Sequence, residues 1–178
     1  PSTPADAYGL LKAALRHDSP VVFIDHKRLF PKSGEVPLAE HVLPIGAASI
    51  VRAGSDVTIT SHGYMVHIAL EAAERLHAEA GISAEVIDLR SLAPLDMATI
   101  AASVARTGAI VTLEEGQLTC GVGSEICFRL GEWTGRLPRA ARVGPLPAPV
   151  SSNPMLEGAC LPDAARLVAA VRKLLSQR

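Results

Sequence analysis

The most constraining feature of this sequence is a regular alternation, from residue 46 onward, between short apolar segments and longer amphipathic ones. The short segments have the length and composition of strands, and the long ones repeat their apolar residues at helical spacing. Predicted strands lie at 46–52, 56–60, 84–88, 109–113 and 141–143, and predicted helices at 63–80, 95–106, 122–131 and 162–175. Helices of ten or more residues between strands indicate βαβ crossovers, which place helices on both faces of a sheet. We therefore predict an α/β fold, a three-layer sandwich.

One short connection predicts the direction of the first strand. Ala53-Gly54-Ser55 joins the segments 46–52 and 56–60. Three residues are too few for the crossover that parallel neighbours require. We therefore expect these two strands to pair antiparallel in a mixed, mostly parallel sheet.

The residues before position 46 have a different character. Residues 4–16 have apolar side chains at helical spacing, and residues 21–24 form the continuous apolar run of a buried parallel strand. Residues 25–43 are polar and interrupted by prolines, which is typical of a linker. The sequence thus predicts a helix-strand tail and a linker ahead of the α/β domain.

Composition excludes several classes of partner. The 178 residues include 17 basic and 18 acidic side chains, for a net charge of −1, so we expect no nucleic-acid and no membrane binding. No apolar run approaches the roughly 20 residues needed to span a bilayer, and the start lacks signal-peptide features, so we expect a cytoplasmic location. Three widely spaced cysteines argue against a disulfide framework and against a zinc site. Because the chain begins at Pro1, we expect it to be a fragment of a longer protein.

A hydroxyl and an imidazole follow the second predicted strand, in the turn Ser61-His62-Gly63-Tyr64. Ligands of open α/β sheets usually sit at the carboxyl edge, where this turn lies. His62 is therefore a candidate proton donor or anion contact. In the alternative interpretation Ser61 caps the next helix and His62 lines a subunit interface.

A second turn with possible chemistry follows the strand 109–113. Glu114 and Glu115 close that strand, and glycines at 116, 121 and 123 lead into a helix. The free amides of such a helix can hold an anion, whereas the glycines also suit tight packing of the helix on the sheet. Adjacent strand residues point to opposite faces, so at most one of the two carboxylates enters a given pocket. The alternative is that both are solvated or interface carboxylates.

The order of segments resembles the β subunits of thiamine-dependent 2-oxo acid dehydrogenases, a transketolase-like family. Segments that resemble the close of the pyrimidine-binding domain of that family lie at 6–12, 18–24 and 26–30, and the start of its third domain is matched at 43–48. The most specific stretches are Asp88-Leu89-Arg90-Ser91-Leu92-Ala93-Pro94-Leu95-Asp96, Glu114-Glu115-Gly116 and Gly121-Val122-Gly123-Ser124-Glu125-Ile126. The resemblance covers the chain almost end to end.

This resemblance implies two domains and a function. Residues 1–37 would be the end of a pyrimidine-binding domain with its linker, and residues 38–178 a transketolase-like C-terminal domain. In this family the β subunit pairs with an α subunit, and a second β subunit completes a heterotetramer. The heterotetramer decarboxylates a 2-oxo acid and passes the acyl group to a lipoyl acyltransferase. Thiamine diphosphate and magnesium are bound by the full complex. The activating glutamate lies upstream of the segment seen here, so we expect this chain alone to be inactive and to serve assembly and docking.

The resemblance also implies a cation site, and it leaves alternatives open. Some family members bind potassium at the helix end that matches Ala14, Leu15, His17 and Ser19, although relatives often have Asp and Asn at the last two positions. His62 would face the approach to the active site. The substrate class stays open among pyruvate, branched-chain 2-oxo acids and acetoin. A standalone interaction module and a sugar-phosphate-transferring relative are the competing hypotheses.

Overall fold

A computed structural model of the chain describes residues 1–177 and contains one five-stranded sheet in the order β1-β3-β2-β4-β5. The strands are β1 Ser49–Arg52, β2 Val57–Ser61, β3 Ala84–Asp88, β4 Ile110–Leu113 and β5 Ala140–Val143. The four strands β2 to β5 all run parallel to one another, and only β1 runs antiparallel, on the outer side of β3. The predicted mixed, mostly parallel sheet is confirmed.

Helices cover both faces of this sheet. They are α1 Pro4–Leu15, α2 Met65–Ala80, α3 Met97–Thr107, α4 Val122–Thr134, α5 Pro154–Cys160 and α6 Ala164–Ser176. Helices α2 and α6 pack on one face around a fully apolar core, and α3 and α4 pack on the other face. The predicted three-layer sandwich is thus confirmed. No helix within residues 1–177 is long and apolar enough to cross a membrane.

Strand β1 pairs with β3 and not with β2, so the predicted pairing of the first two strands is wrong. The crossover through α2 makes β3 the direct neighbour of β2, and β1 occupies the remaining edge of β3. The loop at 53–55 passes the start of β3, where a side chain at Gly54 would overlap the backbone of Ala84. Three residues suffice because β1 and β2 are separated by only one strand, a gap of about 10 Å.

The predicted strand at 21–24 is also wrong. These residues are extended but pair with no strand, and Val22 and Ile24 are 86% and 70% exposed. A buried parallel strand needs partner strands on both sides, and none of the five strands within residues 1–177 pairs with this segment. The short helix α5 was not predicted. Asn153 caps it with its side-chain oxygen, and Pro154 occupies its first turn.

Candidate functional site

Polar residues follow β2 and β4 at the carboxyl edge of the sheet, at the topological switch point between these two strands, which we call the crevice. The connection after β2 leads through α2 to β3 on one side, and the connection after β4 leads through α4 to β5 on the other. Two neighbouring strands whose connections diverge leave a gap at their carboxyl ends, which is the usual ligand site of open α/β sheets. His62 follows β2 at this gap, and Glu115 follows Leu113 and Glu114 at the end of β4.

His62 is half-buried at the crevice. Burial lowers the pKa of His62 below its usual 6.5. The Asp88 and Glu115 carboxylates raise this pKa, but burial outweighs them, with smaller lowering contributions from the Pro1 amino group and His26. The imidazole is therefore neutral at pH 7 and offers one donor and one acceptor nitrogen. Such a group can accept or relay a proton.

Ser61 does not cap the following helix, contrary to one interpretation of the sequence. It is the last residue of β2, and its hydroxyl donates to the carbonyl oxygen of Leu113 in β4 at 3.0 Å. Helix α2 begins only at Met65, and Tyr64 occupies its N-cap position without a side-chain hydrogen bond. Ser61 therefore ties β2 to β4 beneath the crevice.

The two glutamates after β4 have different environments. Glu114 is 3% exposed, and its two carboxylate oxygens accept the backbone N–H groups of Val122 and Gly123, each at 3.0 Å. The first amides of α4 thus hold an anion, which is the chain's own carboxylate. A Cβ at Gly123 would overlap Thr112 and Glu114, which confirms the tight helix packing predicted from the glycines. Glu114 is therefore a buried structural carboxylate and not a solvated one, whereas Glu115 is half-buried at the crevice.

Glu115 is held by a residue of the predicted linker. Its Oε2 lies 2.6 Å from Nε2 of His26. The His26 ring stacks on Tyr64 with centroids 5.4 Å apart, and the Arg28 guanidinium lies 5.5 Å from the Tyr64 centroid. Arg28 also pairs with Glu157 of α5 at 3.6 Å. The linker segment is therefore fixed on the carboxyl edge of the sheet, which sequence patterns did not predict.

The N-terminal helix is attached to the same edge by a buried polar network. Asp88 at the end of β3 is fully buried and accepts the hydroxyl of Ser2 at 2.5 Å and the backbone N–H of Arg90 at 3.0 Å. The Arg90 guanidinium donates to Asp6 of α1 at 2.6 Å. His67 of α2 contacts the carbonyl oxygen of Ser2 at 2.9 Å. The Asp88-Leu89-Arg90 sequence was noticed only for its family resemblance, because its partners lie more than 80 residues away.

The carbonyls of the implied cation site lie at the end of α1. The Ala14 carbonyl accepts the N–H of His17 at 3.3 Å, and the side chain of Leu15 is exposed. Nδ1 of His17 accepts the N–H of Ser19 at 3.1 Å, so this imidazole faces the backbone of the turn. Within residues 1–177, no group of three or more His, Cys, Asp and Glu side chains is arranged to hold a metal ion. A cation here would therefore rely on backbone carbonyls.

The fold and crevice define a class of protein. It has a three-layer α/β domain with a mixed sheet, a polar crevice at the switch point, and an N-terminal arm, residues 1–45, bound at the carboxyl edge of the sheet. The family model described as transketolase, C-terminal domain, matches residues 46–167. The chain belongs to this family.

Relatives of known function extend the similarity beyond the family domain. The β subunit of acetoin:2,6-dichlorophenolindophenol oxidoreductase from Cupriavidus necator is 44% identical over 177 residues, covering 98% of this chain and 52% of that protein. The mitochondrial pyruvate dehydrogenase E1 β subunit of Pisum sativum is 46% identical over 179 residues, covering 97% of this chain and 50% of the relative. The 2-oxoisovalerate dehydrogenase β subunit of Bacillus subtilis is 46% identical over 133 residues, covering 74% and 40%. The chain spans about half the length of the curated relatives it matches.

A solved structure agrees with the sequence relatives. A split-gene transketolase in an inactive β4 tetramer superimposes with a TM-score of 0.78 and 30% identity, covering 99% of this chain and 56% of the other. The chain is therefore homologous to β subunits of 2-oxo acid and acetoin dehydrogenases, and it has the transketolase C-terminal fold.

Proposed function

We propose that this chain is part of the β subunit of the decarboxylating component of a thiamine-diphosphate-dependent 2-oxo acid dehydrogenase. That component oxidatively decarboxylates a 2-oxo acid and transfers the acyl group to a lipoyl group. The observation that carries the proposal is the similarity to β subunits over 98% of the chain, which includes the first 45 residues outside the family match. Residues 1–37 are then the end of a pyrimidine-binding domain with its linker, and residues 38–178 the C-terminal domain.

The first role we assign to this segment is subunit assembly. Large apolar side chains that are at least 70% exposed lie along the N-terminal arm: Leu15, Val22, Ile24, Phe30 and Leu38. Apolar surface costs about 25 cal/mol for each Å² left in water, and contiguous exposed patches usually mark interfaces. The remainder of the subunit, the α subunit and the second β subunit of a heterotetramer are the proteins we expect to cover this arm.

The second role is docking of the lipoyl acyltransferase component. Phe128 and Trp133 of α4 and the neighbouring Leu137 are each more than 60% exposed. Phe128 and Leu137 line an open groove of about 370 Å³ between α4 and β5, with Arg142 at its rim. An apolar groove with a charged rim has the composition of the centre and edge of a protein interface.

We place thiamine diphosphate outside this segment. The cavity between α1 and the linker has a volume of about 190 Å³, whereas ligand sites commonly have about 300 Å³ or more. The larger groove between α4 and β5 is open and lined chiefly by apolar side chains, which do not suit a diphosphate. Asp25 lines the cavity beside α1, but no group of three or more His, Cys, Asp and Glu side chains within residues 1–177 is arranged to hold a metal ion. Coenzyme and magnesium therefore belong to the full complex in this proposal, and potassium is assigned to the backbone carbonyls near Ala14, Leu15, His17 and Ser19.

We assign to His62 a position at the approach to the active site of the complex. Support comes from its place at the switch-point crevice and from its neutral imidazole at pH 7. His62→Ala in the complete heterotetramer should lower turnover or lipoyl acylation by about 100-fold or more, the usual size of a lost proton-transfer contact. His77→Ala, on the exposed last turn of α2, is the matched control. Equal kinetics of both variants would assign His62 to an interface instead.

The experiment that tests the function is reconstitution from the complete reading frame. The full-length subunit, coexpressed with its α partner, should reduce an artificial electron acceptor with a 2-oxo acid only when thiamine diphosphate and magnesium are present. Pyruvate, branched-chain 2-oxo acids and acetoin should be compared side by side, because the relative covering 98% of the chain is an acetoin-oxidising subunit. A reading frame without a thiamine-binding half would refute the proposal and favour a standalone interaction module.

A further inference from the structure

The crevice between β2 and β4 is bridged by a ring that belongs to neither strand. Tyr64 follows β2 and Glu115 follows β4, so they stand on the two sides of the crevice. His26 contacts both, stacking on Tyr64 with an interplanar angle of 20° and placing Nε2 2.6 Å from the Glu115 carboxylate. All three side chains are partly buried. A linker residue therefore forms part of the crevice.

The hydrogen bonds of His26 assign its tautomer. The backbone N–H of Arg28 donates to Nδ1 of His26 at 3.2 Å. A backbone N–H cannot accept, so Nδ1 must carry a lone pair, and the proton of the neutral ring lies on Nε2. That proton is donated to Glu115. One ring thus performs two separable tasks, capping the short 3₁₀ turn Lys27–Leu29 through Nδ1 and holding Glu115 through Nε2.

Glu115 is one of four charged or titratable groups that act on His62. Burial lowers the pKa of His62, the Asp88 carboxylate at the end of β3 and Glu115 raise it, and the Pro1 amino group and His26 lower it. These groups come from different elements that meet at the carboxyl edge. Geometry places Glu115 near His62 independently of these pKa contributions, because Thr60 of β2 pairs with Thr112 of β4, and His62 and Glu115 follow the ends of these neighbouring strands. Since His26 contacts the Glu115 carboxylate at 2.6 Å, it fixes that carboxylate at this edge.

We propose that His26 is a positioning residue, which as the Nε2–H tautomer holds the Glu115 carboxylate beside His62 in the β2–β4 crevice. The inference rests on the proposed function only for its activity measurement, because the position of Glu115 is a property of the chain itself. The capping task and the positioning task predict different behaviour for two conservative substitutions at His26.

His26→Asn and His26→Gln separate the two tasks. The Asn oxygen lies near the Nδ1 position and is a good cap for the turn, but it cannot reach Glu115. The Gln amide nitrogen reaches the Nε2 position and can donate to Glu115, but the cap is lost. Glu115→Gln removes the charge and keeps an acceptor. His77→Asn, on the far end of α2, is the control.

The first test is an NMR titration of the six histidines in the 178-residue chain. We expect E115Q to move the titration midpoint of His62 to lower pH, because it removes a charge that raises the midpoint. Since His26 itself lowers the pKa of His62, its positioning role is measured by adding E115Q to each variant: the E115Q shift should persist in H26Q and H77N and shrink in H26N. An E115Q shift of full size in H26N overturns the proposal. An equally reduced E115Q shift in H26Q and H26N overturns it too, since capping would then be the relevant task.

The second test measures turnover against pH in the reconstituted complex. E115Q should move the acidic limb of the profile to lower pH. H26N should diminish that E115Q shift and reduce maximal turnover about tenfold, whereas H26Q should preserve most of the shift and of the turnover. Identical profiles for H26N and the unmodified enzyme overturn the role in the reaction. If the unmodified complex has no 2-oxo acid activity, the proposed function fails, and the titration still decides the positioning of Glu115.

Discussion

Replacing Glu114 should show how far the junction between β4 and α4 depends on one buried carboxylate. Its oxygens accept the N–H groups of Val122 and Gly123, both at 3.0 Å, and the side chain is almost fully buried. A hydrogen bond to a charged group contributes about 1.5 to 3 kcal/mol, and a buried amide left without a partner costs a similar amount. Glu114→Ala should therefore lower the free energy of unfolding by about 4 kcal/mol. Glu114→Gln keeps one acceptor but loses the charge at the helix N-terminus, so we expect about 2 kcal/mol.

Urea unfolding followed by circular dichroism measures these differences at constant pH. Glu132→Gln is a matched control on the same helix, because Glu132 is exposed and should change stability by less than about 0.5 kcal/mol. Thermal unfolding of Glu114→Ala should occur about 10 °C lower, given roughly 2 to 4 °C for each kcal/mol in a chain of this size. A loss below about 1 kcal/mol in Glu114→Ala, or equal losses in the Ala and Gln variants, would refute the assigned role of the two amide bonds.

Two further predictions concern packing and pH dependence. Gly123→Ala should destabilise the chain by about 1 to 3 kcal/mol in the same urea assay, because the added methyl group would overlap Thr112 of β4 and Glu114. Gly158→Ala is the control, since a methyl group there meets open space and should leave stability unchanged. Equal losses in the two variants would contradict the packing argument. Burial alone would raise the pKa of Asp96, but hydrogen bonds from Thr99 and Ala48 hold it below its usual 3.8. Asp96→Ala should cost about 1 kcal/mol of stability, because Asp96 caps α3. Because the pKa of Asp96 is depressed in the folded state, this loss should be constant above about pH 4 and should shrink as the pH falls through the folded-state pKa. A stability difference that does not change with pH would contradict this.

The sequence predicted the layers of the fold because periodicity reports which side of an element is buried. It could not predict what buries a segment, so the apolar run at 21–24 was predicted to be a buried strand of the N-terminal tail, although it pairs with no strand within residues 1–177. The partner of β1 was also predicted wrongly, since a short loop limits the distance and direction of the next strand but does not say whether a third strand lies between the two. An anion at the α4 amides was one of two alternatives, and only the folded chain shows that Glu114 is that anion.

The candidate site was predicted only in part for a related reason. The place of His62 follows from local order, because a residue after a predicted parallel strand must lie at the carboxyl edge. The contact between His26 and Glu115 joins residues 89 positions apart. No periodic signal marks such a pair, and linker composition gave no reason to place His26 in a crevice. Long-range polar contacts are thus the part of the site that the three-dimensional structure adds.

Calorimetric titration of thiamine diphosphate tests the central claim most directly, when the 178-residue chain and the reconstituted full-length complex are compared in magnesium buffer. We expect no binding heat for the chain alone, since we place the coenzyme outside this segment and its cavity of about 190 Å³ is smaller than ligand sites commonly are. We expect saturable, magnesium-dependent binding for the complex, together with decarboxylation of a 2-oxo acid. Tight magnesium-dependent binding by the chain alone, or a complex that binds no coenzyme, would contradict the assignment.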